Sequence, residues 1–210
     1  MEQNKTLTNI IADKEGDIAI GIIGAMDEEV AQLKAAINDR EDHVIAGYEF
    51  STGSIKDKRV VLLKSGIGKV NAAVGTSILL QHFAPDCIIN TGSAGGFDPS
   101  LSIGDVVIST DVRHHDVDLT IFGYEPGQVP GMPPAFIPDA LMASIAGECI
   151  AKFDKTVVHG QIATGDAFMN DPERVARMRA TFPNMQAVEM EAAAIAQTCH
   201  SFKTPFKIAP

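Results

Sequence analysis

The sequence has 210 residues, of which 45% are hydrophobic and 21% are charged, and it carries a formal net charge of −10 at pH 7. This length and composition are typical of one globular domain with a sizeable core. The acidic balance argues against nucleic acids and anionic membrane surfaces as partners, because both bind basic patches. Three widely spaced cysteines, Cys87, Cys149 and Cys199, and the lack of a long apolar run favour a cytoplasmic protein without disulfides or a membrane span.

The first residues differ in character from the rest of the chain. Residues 1–16 are polar and do not have the apolar middle of a secretory signal. We expect them to be a disordered N-terminal extension, followed by a single domain over residues 17–210. An apolar run over residues 18–23 is typical of a strand that is covered on both faces. Asp27 is a candidate N-cap for a helix that continues to about Ile37.

Further along the chain, apolar strands alternate with helices. The predicted elements are strands over 48–55 and 60–64, a helix over 70–82, strands over 86–90 and 106–109, a helix over 138–153, a strand over 156–163, and helices over 172–182 and 189–200. The segment 113–138 is rich in Gly, Pro and His without a period, and such a segment is usually functional or disordered. The alternation predicts an α/β fold with three layers, in which helices flank a mixed central β-sheet.

Two glycine-rich turns follow predicted strands. Ser65-Gly66-Ile67-Gly68-Lys69-Val70 does not match a phosphate-binding loop, because Leu63 stands at the position of the first glycine and Val70 at that of the metal-binding hydroxyl. A tight strand-to-helix turn is the better interpretation. Thr91-Gly92-Ser93-Ala94-Gly95-Gly96 either lets a ligand approach the backbone closely or serves only to reverse the chain, and the sequence leaves both interpretations open.

Carboxylates are concentrated at two places. Glu28 and Glu29 lie in the first turn of a predicted helix, where acidic residues suit the helix macrodipole. The alternative is a general base that takes a proton from water. Glu189 and Glu191 flank Met190 at the start of an alanine-rich segment. Burying two carboxylates is costly unless each has a fixed partner, so this pair predicts a site for a polar ligand.

Two other groups carry a weaker signal. His114-His115-Asp116 and Asp118 are of metal-binding types, but neighbouring histidines point in different directions, so we expect no metal site. Phe168, which follows Gly165-Asp166-Ala167, is either an aromatic platform for a flat heterocycle or a core residue.

Five motifs, taken together and in this order, resemble those of the bacterial 5′-methylthioadenosine/S-adenosylhomocysteine nucleosidases. They are Gly21-Ile22-Ile23-Gly24-Ala25-Met26 with Glu28-Glu29, Lys64-Ser65-Gly66-Ile67-Gly68-Lys69-Val70, Asn90-Thr91-Gly92-Ser93-Ala94-Gly95-Gly96, Gly165-Asp166-Ala167-Phe168, and Ala187-Val188-Glu189-Met190-Glu191. The resemblance covers residues 18–206. It implies a purine-nucleoside-phosphorylase-like fold, a homodimer, no cofactor, and irreversible hydrolysis of the bond between adenine and a 5′-thioribose in methionine salvage.

The resemblance also implies roles for individual residues. Glu29 resembles the base that activates water, and Glu191 resembles the residue that binds the ribose hydroxyls and stabilises the cationic sugar of an oxocarbenium-like transition state. The other residues that the resemblance places at the substrate are Ala25, Ile67, Ser93, Ala94, Gly95, Phe168, Met169, Val188, Glu189 and Met190. Phe168 is expected to stack on adenine and Met190 to pack against the ribose.

Three residues of the aperiodic segment resemble residues with which one subunit of this family covers the substrate of the other subunit. Phe122, Tyr124 and Pro130 match residues that cover the 5′-alkylthio group across the dimer in this family. Apolar cover of this kind suits a thioether and repels a phosphate.

The sequence departs from the family at the residue that acts as the general acid. In the family the last strand continues to an arginine and then to an aspartate that protonates N7 of adenine. The sequence here reads Lys207-Ile208-Ala209-Pro210, and no residue in it matches that aspartate. General acid catalysis contributes about 10²–10⁴-fold in rate. We therefore expect a domain that is incomplete at its C-terminus and impaired in catalysis.

Two other functions stay open. A nucleoside phosphorylase needs a cationic pocket for phosphate, and the acidic Glu28-Glu29 pair argues against it. A dimer that binds adenine nucleosides without cleaving them is an alternative from a different class, and the unmatched acid favours it.

Overall fold

Strands and helices alternate along most of the chain. The computed structural model describes residues 6–15, 17–153 and 155–210. Its elements are α1 Leu7–Asp13, β1 Ala19–Gly24, α2 Asp27–Ala36, β2 Asn38–Ile45, β3 Tyr48–Ile55, β4 Lys58–Lys64, α3 Lys69–Phe83, β5 Cys87–Asn90, β6 Gly95–Gly96, β7 Val106–His114, α4 Ala140–Ile150, β8 Val157–Thr164, α5 Pro172–Thr181, β9 Met185–Glu189, α6 Ala192–Phe202 and β10 Phe206–Ile208. A short 3₁₀ helix, Thr120–Phe122, lies in the long segment before α4.

The strands form two sheets. The larger sheet has the strand order β10-β5-β1-β4-β3-β2, and the smaller has the order β6-β9-β8-β7. β1 pairs in parallel with β4 and β5, whereas β3 pairs antiparallel with β2 and β4. β8 is parallel to both β7 and β9. The predicted α/β class with mixed strands and flanking helices is confirmed, although the strands divide between two sheets.

Strand β10 connects the two sheets. It pairs in parallel with β5, and its other side faces β7. Ser109 Oγ donates to the carbonyl oxygen of Ile208 at 2.9 Å, and the Val107 N–H donates to that of Pro210 at 3.2 Å. The carboxyl ends of the strands of both sheets are thereby held next to each other.

The largest core cluster packs the strands around helix α6. α6 is buried along most of its length, and its run of alanines lets it lie close to α3. Ile23, Leu63 and Ile88, which come from three neighbouring parallel strands, are fully buried in this cluster. The core therefore fixes the strand ends from which the loops of the candidate site extend.

Several elements differ from the sequence prediction. Strand β2 was not predicted, because its mostly exposed residues show no apolar alternation and its pairing with β3 is what holds it. β7 continues past the predicted end at Ser109 to His114, since it pairs with β8 along this length. The N-cap of α2 is Met26, so the assignment of Asp27 is wrong; the Asp27 carboxylate pairs with Lys64 at 2.9 Å.

The helix predicted to begin at Glu189 begins at Ala192. The apolar residues before it form β9, which pairs with β6 on one side and with β8 on the other. Backbone pairing on both sides requires an extended chain up to Glu189. Glu189, Met190 and Glu191 consequently lie at the junction of a strand and a helix.

Part of the N-terminal segment is helical, where the sequence analysis expects disorder. Leu7 and Ile10, three residues apart in α1, are buried against the domain. The Leu7 N–H donates to the Asp139 carboxylate at 3.0 Å, and Lys14 pairs with Asp86 at 2.7 Å. The rest of the expected extension, residues 1–5 and 16, lies outside the described residues, and the boundary at residue 17 stays a prediction.

Candidate active site

One cavity opens at the carboxyl ends of strands from both sheets, which is the usual position of ligand sites in α/β folds. Loops that follow β1, β4, β5, β8 and β9 surround it. Its volume is about 480 Å³. The lining residues are Ala25, Met26, Glu29, Ile67, Ser93, Ala94, Gly95, Ala167, Phe168, Met169, Val188, Glu189, Met190 and Glu191.

The Glu29 carboxylate is oriented by four donors. Its Oε2 accepts hydrogen bonds from the N–H groups of Ala25, at 2.8 Å, and Met26, at 3.2 Å. Its Oε1 accepts from both the N–H and the Oγ of Ser93, each at 2.8 Å. A Cβ atom at position 92 would lie 2.9 Å from Oε1, so Gly92 leaves the room that this carboxylate occupies. The first-turn glutamate thus faces the cavity and does more than complement the helix dipole.

Glu191 directly precedes α6 in the sequence, and its carboxylate lies against the N-terminus of α3. Its Oε1 accepts a hydrogen bond from the Gly68 N–H at 2.7 Å, and Gly68 has a φ of +96°, a conformation that favours glycine. The partial positive charge of a helix N-terminus stabilises a carboxylate. Burial nevertheless raises the pKa of Glu191 above its ordinary value of 4.5, and the negative charges of Glu29 and Asp166 add to this rise against the opposing effect of the Gly68 N–H.

Glu189 is engaged within the protein. One of its carboxylate oxygens accepts from the N–H groups of Glu191, at 2.7 Å, and Ala192, at 2.6 Å, which are the first free donors of α6. The other oxygen accepts from the Thr164 hydroxyl. Burial raises the pKa of Glu189 to about 7, although these hydrogen bonds oppose the rise. Glu189 therefore caps α6 and sets the backbone that carries Met190 and Glu191.

Apolar side chains form the remaining walls. Ile67 lies on the turn between β4 and α3, and Met190 and Val188 lie beside the two glutamates. The Phe168 side chain is 78% exposed, so it is not a core residue but a ring available at the cavity mouth. Carboxylates next to exposed apolar groups suit a ligand that has both a polar ring with hydroxyls and a flat or apolar part.

The structure brings the predicted substrate residues together. Every residue that the resemblance places at the substrate of its own chain lines this cavity, while the chemical role of each stays a prediction. The sequence analysis missed Met26 and Ala167, which neighbour Ala25 and Phe168, because loop side chains have no period that shows which way they face. Phe122, Tyr124 and Pro130 are not among the lining residues.

A second cavity of about 460 Å³ adjoins the first at Met169. It lies between α5 and the loop after β7, and Arg174, Arg177, Asp116 and Asp118 are among its lining residues. It does not contain Glu29, Glu189 or Glu191. We therefore place the candidate chemistry in the cavity of about 480 Å³.

The described residues contain neither a group of metal-binding side chains nor a membrane-spanning helix. Within residues 6–15, 17–153 and 155–210, no three His, Cys, Asp or Glu side chains are grouped so that they could share a metal ion. In the same ranges, no helix has the length and apolar character that crossing a bilayer requires.

Comparisons with known proteins identify the family and agree with the fold. The family model of the Phosphorylase superfamily matches residues 19–208. A 5′-methylthioadenosine/S-adenosylhomocysteine nucleosidase of Bacillus pumilus is 59% identical over 190 residues, which are 90% of this chain and 82% of the relative. A nucleosidase of this type from Colwellia psychrerythraea, solved in complex with adenine, is 51% identical with a TM-score of 0.90, covering 92% of this chain and 81% of the other. The Neisseria meningitidis nucleosidase, solved with methylthio-immucillin-A, is 46% identical with a TM-score of 0.89, covering 91% of this chain and 83% of the other.

Proposed function

The chain belongs to the phosphorylase superfamily and, within it, to the 5′-methylthioadenosine/S-adenosylhomocysteine nucleosidases, and from this premise we propose that it hydrolyses the N-glycosidic bond of those two nucleosides. The products are adenine and a 5′-thioribose. The observation that carries the proposal is that Glu29 and Glu191 both line one cavity, beside the exposed Phe168 ring. Backbone N–H donors hold each of the two carboxylates in place.

In the proposed reaction, Glu29 accepts a proton from water. The water oxygen forms a bond to the anomeric carbon of the ribose while the bond from that carbon to adenine breaks, and its electron pair leaves with the base. Adenine takes up a proton from solvent to leave as a neutral molecule, and Glu29 afterwards returns its proton to solvent, so the net reaction consumes one water. The four donors that orient Glu29 keep its carboxylate directed at the cavity, which lowers the entropic cost of placing the water.

Glu191 is assigned to the sugar. Breaking the glycosidic bond builds positive charge on the ribose ring, which a neighbouring carboxylate stabilises. We assign Glu191 to the ribose hydroxyls, because Gly68 already occupies one of its oxygens and leaves the other for a ligand. Phe168 is assigned to adenine stacking, and Ile67 and Met190 to the sugar and its thioether.

A second candidate function is binding of adenine nucleosides without turnover. Three carboxylates line the cavity in the described part of the chain, namely Glu29, Glu189 and Glu191. The first and last are assigned to water and ribose, and Glu189 accepts three hydrogen bonds within the protein. This arrangement leaves adenine without an assigned proton donor among the described residues, which favours slow turnover.

The deciding experiment measures adenine release from 5′-methylthioadenosine by the 210-residue protein in phosphate-free buffer. Turnover supports the nucleosidase, and turnover that needs added phosphate supports a nucleoside phosphorylase. Tight binding of a non-hydrolysable nucleoside analogue without adenine release supports the binding function.

Glu29→Gln tests the assigned base. We expect its rate of adenine release to fall by about 10²–10⁴-fold, while its affinity for the analogue stays close to that of the unmodified protein. Glu28→Gln is the matched control, because Glu28 is the exposed neighbour and does not line the cavity. Equal rates for both variants would contradict the assignment of Glu29.

We also propose that the protein works as a homodimer. Phe122 is 73% exposed and, with Tyr124 and Pro130, lies outside the cavity of its own chain. Val70, Val74 and Phe202 are further exposed apolar side chains, on α3 and α6. Such a surface is costly in water and suits burial against a second copy, whose cavity the Phe122 loop would cover.

The cellular setting follows from the same proposal. Cys87, Cys149 and Cys199 are unpaired, which fits the reducing conditions of the cytoplasm. A cytoplasmic nucleosidase of this specificity would serve methionine salvage, because its product retains the thioribose sulfur.

A further inference from the structure

Three charged side chains meet where the loops after β4, β7 and β8 converge. The Lys69 ammonium pairs with Asp116 Oδ1 at 2.7 Å. The other oxygen of Asp116 accepts from the Asp166 N–H at 3.0 Å, and Asp166 Oδ1 accepts from the Lys69 N–H at 2.8 Å. Lys69, Asp116 and Asp166, which we call the charged clamp, thus form a closed ring of contacts between the two sheets.

Two residues of the charged clamp, Lys69 and Asp166, lie next to residues of different walls of the cavity. Lys69 follows Gly68, whose N–H holds Glu191 at 2.7 Å. Asp166 stands two residues before Phe168 on the loop after β8. A Cβ atom at position 68 would lie 3.1 Å from Asp166 Oδ1, so the two loops are already in close contact. A movement at the clamp would therefore change the separation of the wall assigned to ribose from the wall assigned to adenine.

The Lys69–Asp116 ion pair of the clamp is partly shielded from solvent, whereas Asp166 is exposed. The Lys69 and Asp116 side chains are 21% and 29% exposed, so solvent screens this pair less than a fully exposed pair. Both oxygens of Asp116 are occupied, which restricts its rotation. Hydrogen bonds in which the donor or the acceptor is ionised are stronger than those between neutral groups.

We propose that Asp116, acting through Lys69 and Asp166, is a positioning residue that fixes the spacing between the ribose wall and the adenine wall of the cavity. This inference rests on the proposed function and deepens it. A nucleoside must contact both walls at once, whereas free adenine contacts one. The clamp consequently affects the binding of a whole nucleoside more than the binding of the base.

The test compares the affinities for a non-hydrolysable 5′-methylthioadenosine analogue and for adenine, measured by calorimetry on the full chain. We expect Asp116→Asn and Lys69→Met each to weaken analogue binding by about tenfold, the loss typical of one charge-assisted contact, and to weaken adenine binding much less. Lys69→Arg keeps the positive charge and is expected to restore most of the analogue affinity.

Lys14→Met is the matched control. It removes the same type of side chain from an ion pair of the same length, 2.7 Å to Asp86, at the C-terminal end of α1 and outside the cavity. A merely structural role for Asp116 would lower the melting temperature without changing the ratio of the two affinities. Unchanged affinities, or equal losses for the analogue and adenine, would overturn the inference. If the unmodified protein binds neither ligand, the proposed function fails and the inference fails with it.

Discussion

At the scale of single residues, Glu189 shows how a buried carboxylate is tolerated beside a site. It accepts the first free N–H groups of α6 and the Thr164 hydroxyl, so the cost of its burial is partly offset. Because the remaining cost of burial disfavours the charged form, the pKa of Glu189 rises from its ordinary value of 4.5 to about 7. Between these two values the folded protein keeps a proton that the unfolded chain has released.

Glu189 is therefore expected to make the free energy of unfolding fall as pH rises from 4.5 to about 7. The shift corresponds to about 3 kcal/mol. Glu189→Gln should remove most of this slope, and denaturant unfolding of the ligand-free protein between pH 4.5 and 8 would measure it. Glu173→Gln, at an exposed position on α5, is the control and should leave the slope in place. Parallel curves for the two variants would argue against a shifted Glu189.

Lys207 is the opposite case, an ammonium buried in strand β10. The residue is 2% exposed, and its Nζ donates to the Ser109 carbonyl oxygen at 2.6 Å. Burial lowers the pKa of Lys207 from 10.5 to about 8. A backbone carbonyl replaces only part of the hydration that the charge has lost, so lysine is unfavourable at this position of the strand.

Lys207→Met is expected to stabilise the protein at pH 7 by about 2–3 kcal/mol, because it removes a charge that is costly to bury. The unmodified protein should gain stability between pH 8 and 10.5, where the folded state has released the proton and the unfolded chain has not. Denaturant unfolding at pH 7 and pH 10 measures both effects. A methionine variant that is less stable at pH 7 would show that the hydrogen bond to Ser109 outweighs the cost of burial.

At the scale of elements, α1 is the helix that the sequence analysis did not expect. It has seven residues, too few for stability in isolation, so it depends on packing. Leu7 packs in a cluster with Cys87 and Met142, and this cluster does not line the cavity. The helix should therefore contribute to stability without contributing to ligand binding.

Ile10→Asp tests this separation. It places a charge at a buried position, so we expect the amides of α1 to exchange faster with solvent and the affinity for the nucleoside analogue to stay unchanged. Asn9→Asp introduces the same residue at an exposed neighbouring position and should change neither measurement. A loss of analogue binding in Ile10→Asp alone would show that α1 supports the cavity.

At the scale of the whole molecule, the proposed dimer rests on an exposed apolar surface formed by α3 and α6. α3 and α6 pack together and leave Val70, Val74 and Phe202 exposed around a cavity of about 420 Å³ that Val70 and Phe202 line. We expect Val70→Glu to produce a monomer by light scattering, because each interface would bury two new charges. Val44→Glu is the control: Val44 is 73% exposed and Val70 is 72% exposed, but Val44 lies on β2. Equal masses for the two variants would contradict an interface at α3.

The sequence predicted most of the elements that have an apolar pattern, and it predicted the candidate site through its motifs. The run over residues 18–23 and the strands over 48–55 and 60–64 correspond to β1, β3 and β4 within two residues at each end. β2 could not be predicted, because its residues are mostly exposed and its place in the sheet depends on its pairing with β3. The start of α6 was misplaced, because the pairing of β9 on both sides is a long-range property.

The sequence by itself determined the α/β class, the acidic character and the residue types at the cavity, since these depend on composition, periodicity and short motifs. The tertiary structure decided which donors hold Glu29 and Glu191, and that Glu189 caps a helix. It also decided that Asp116 closes a ring with Lys69 and Asp166. Apart from the local cap that Glu189 provides, these contacts join loops that are far apart along the chain. Only the packing of the two sheets brings those loops to one edge.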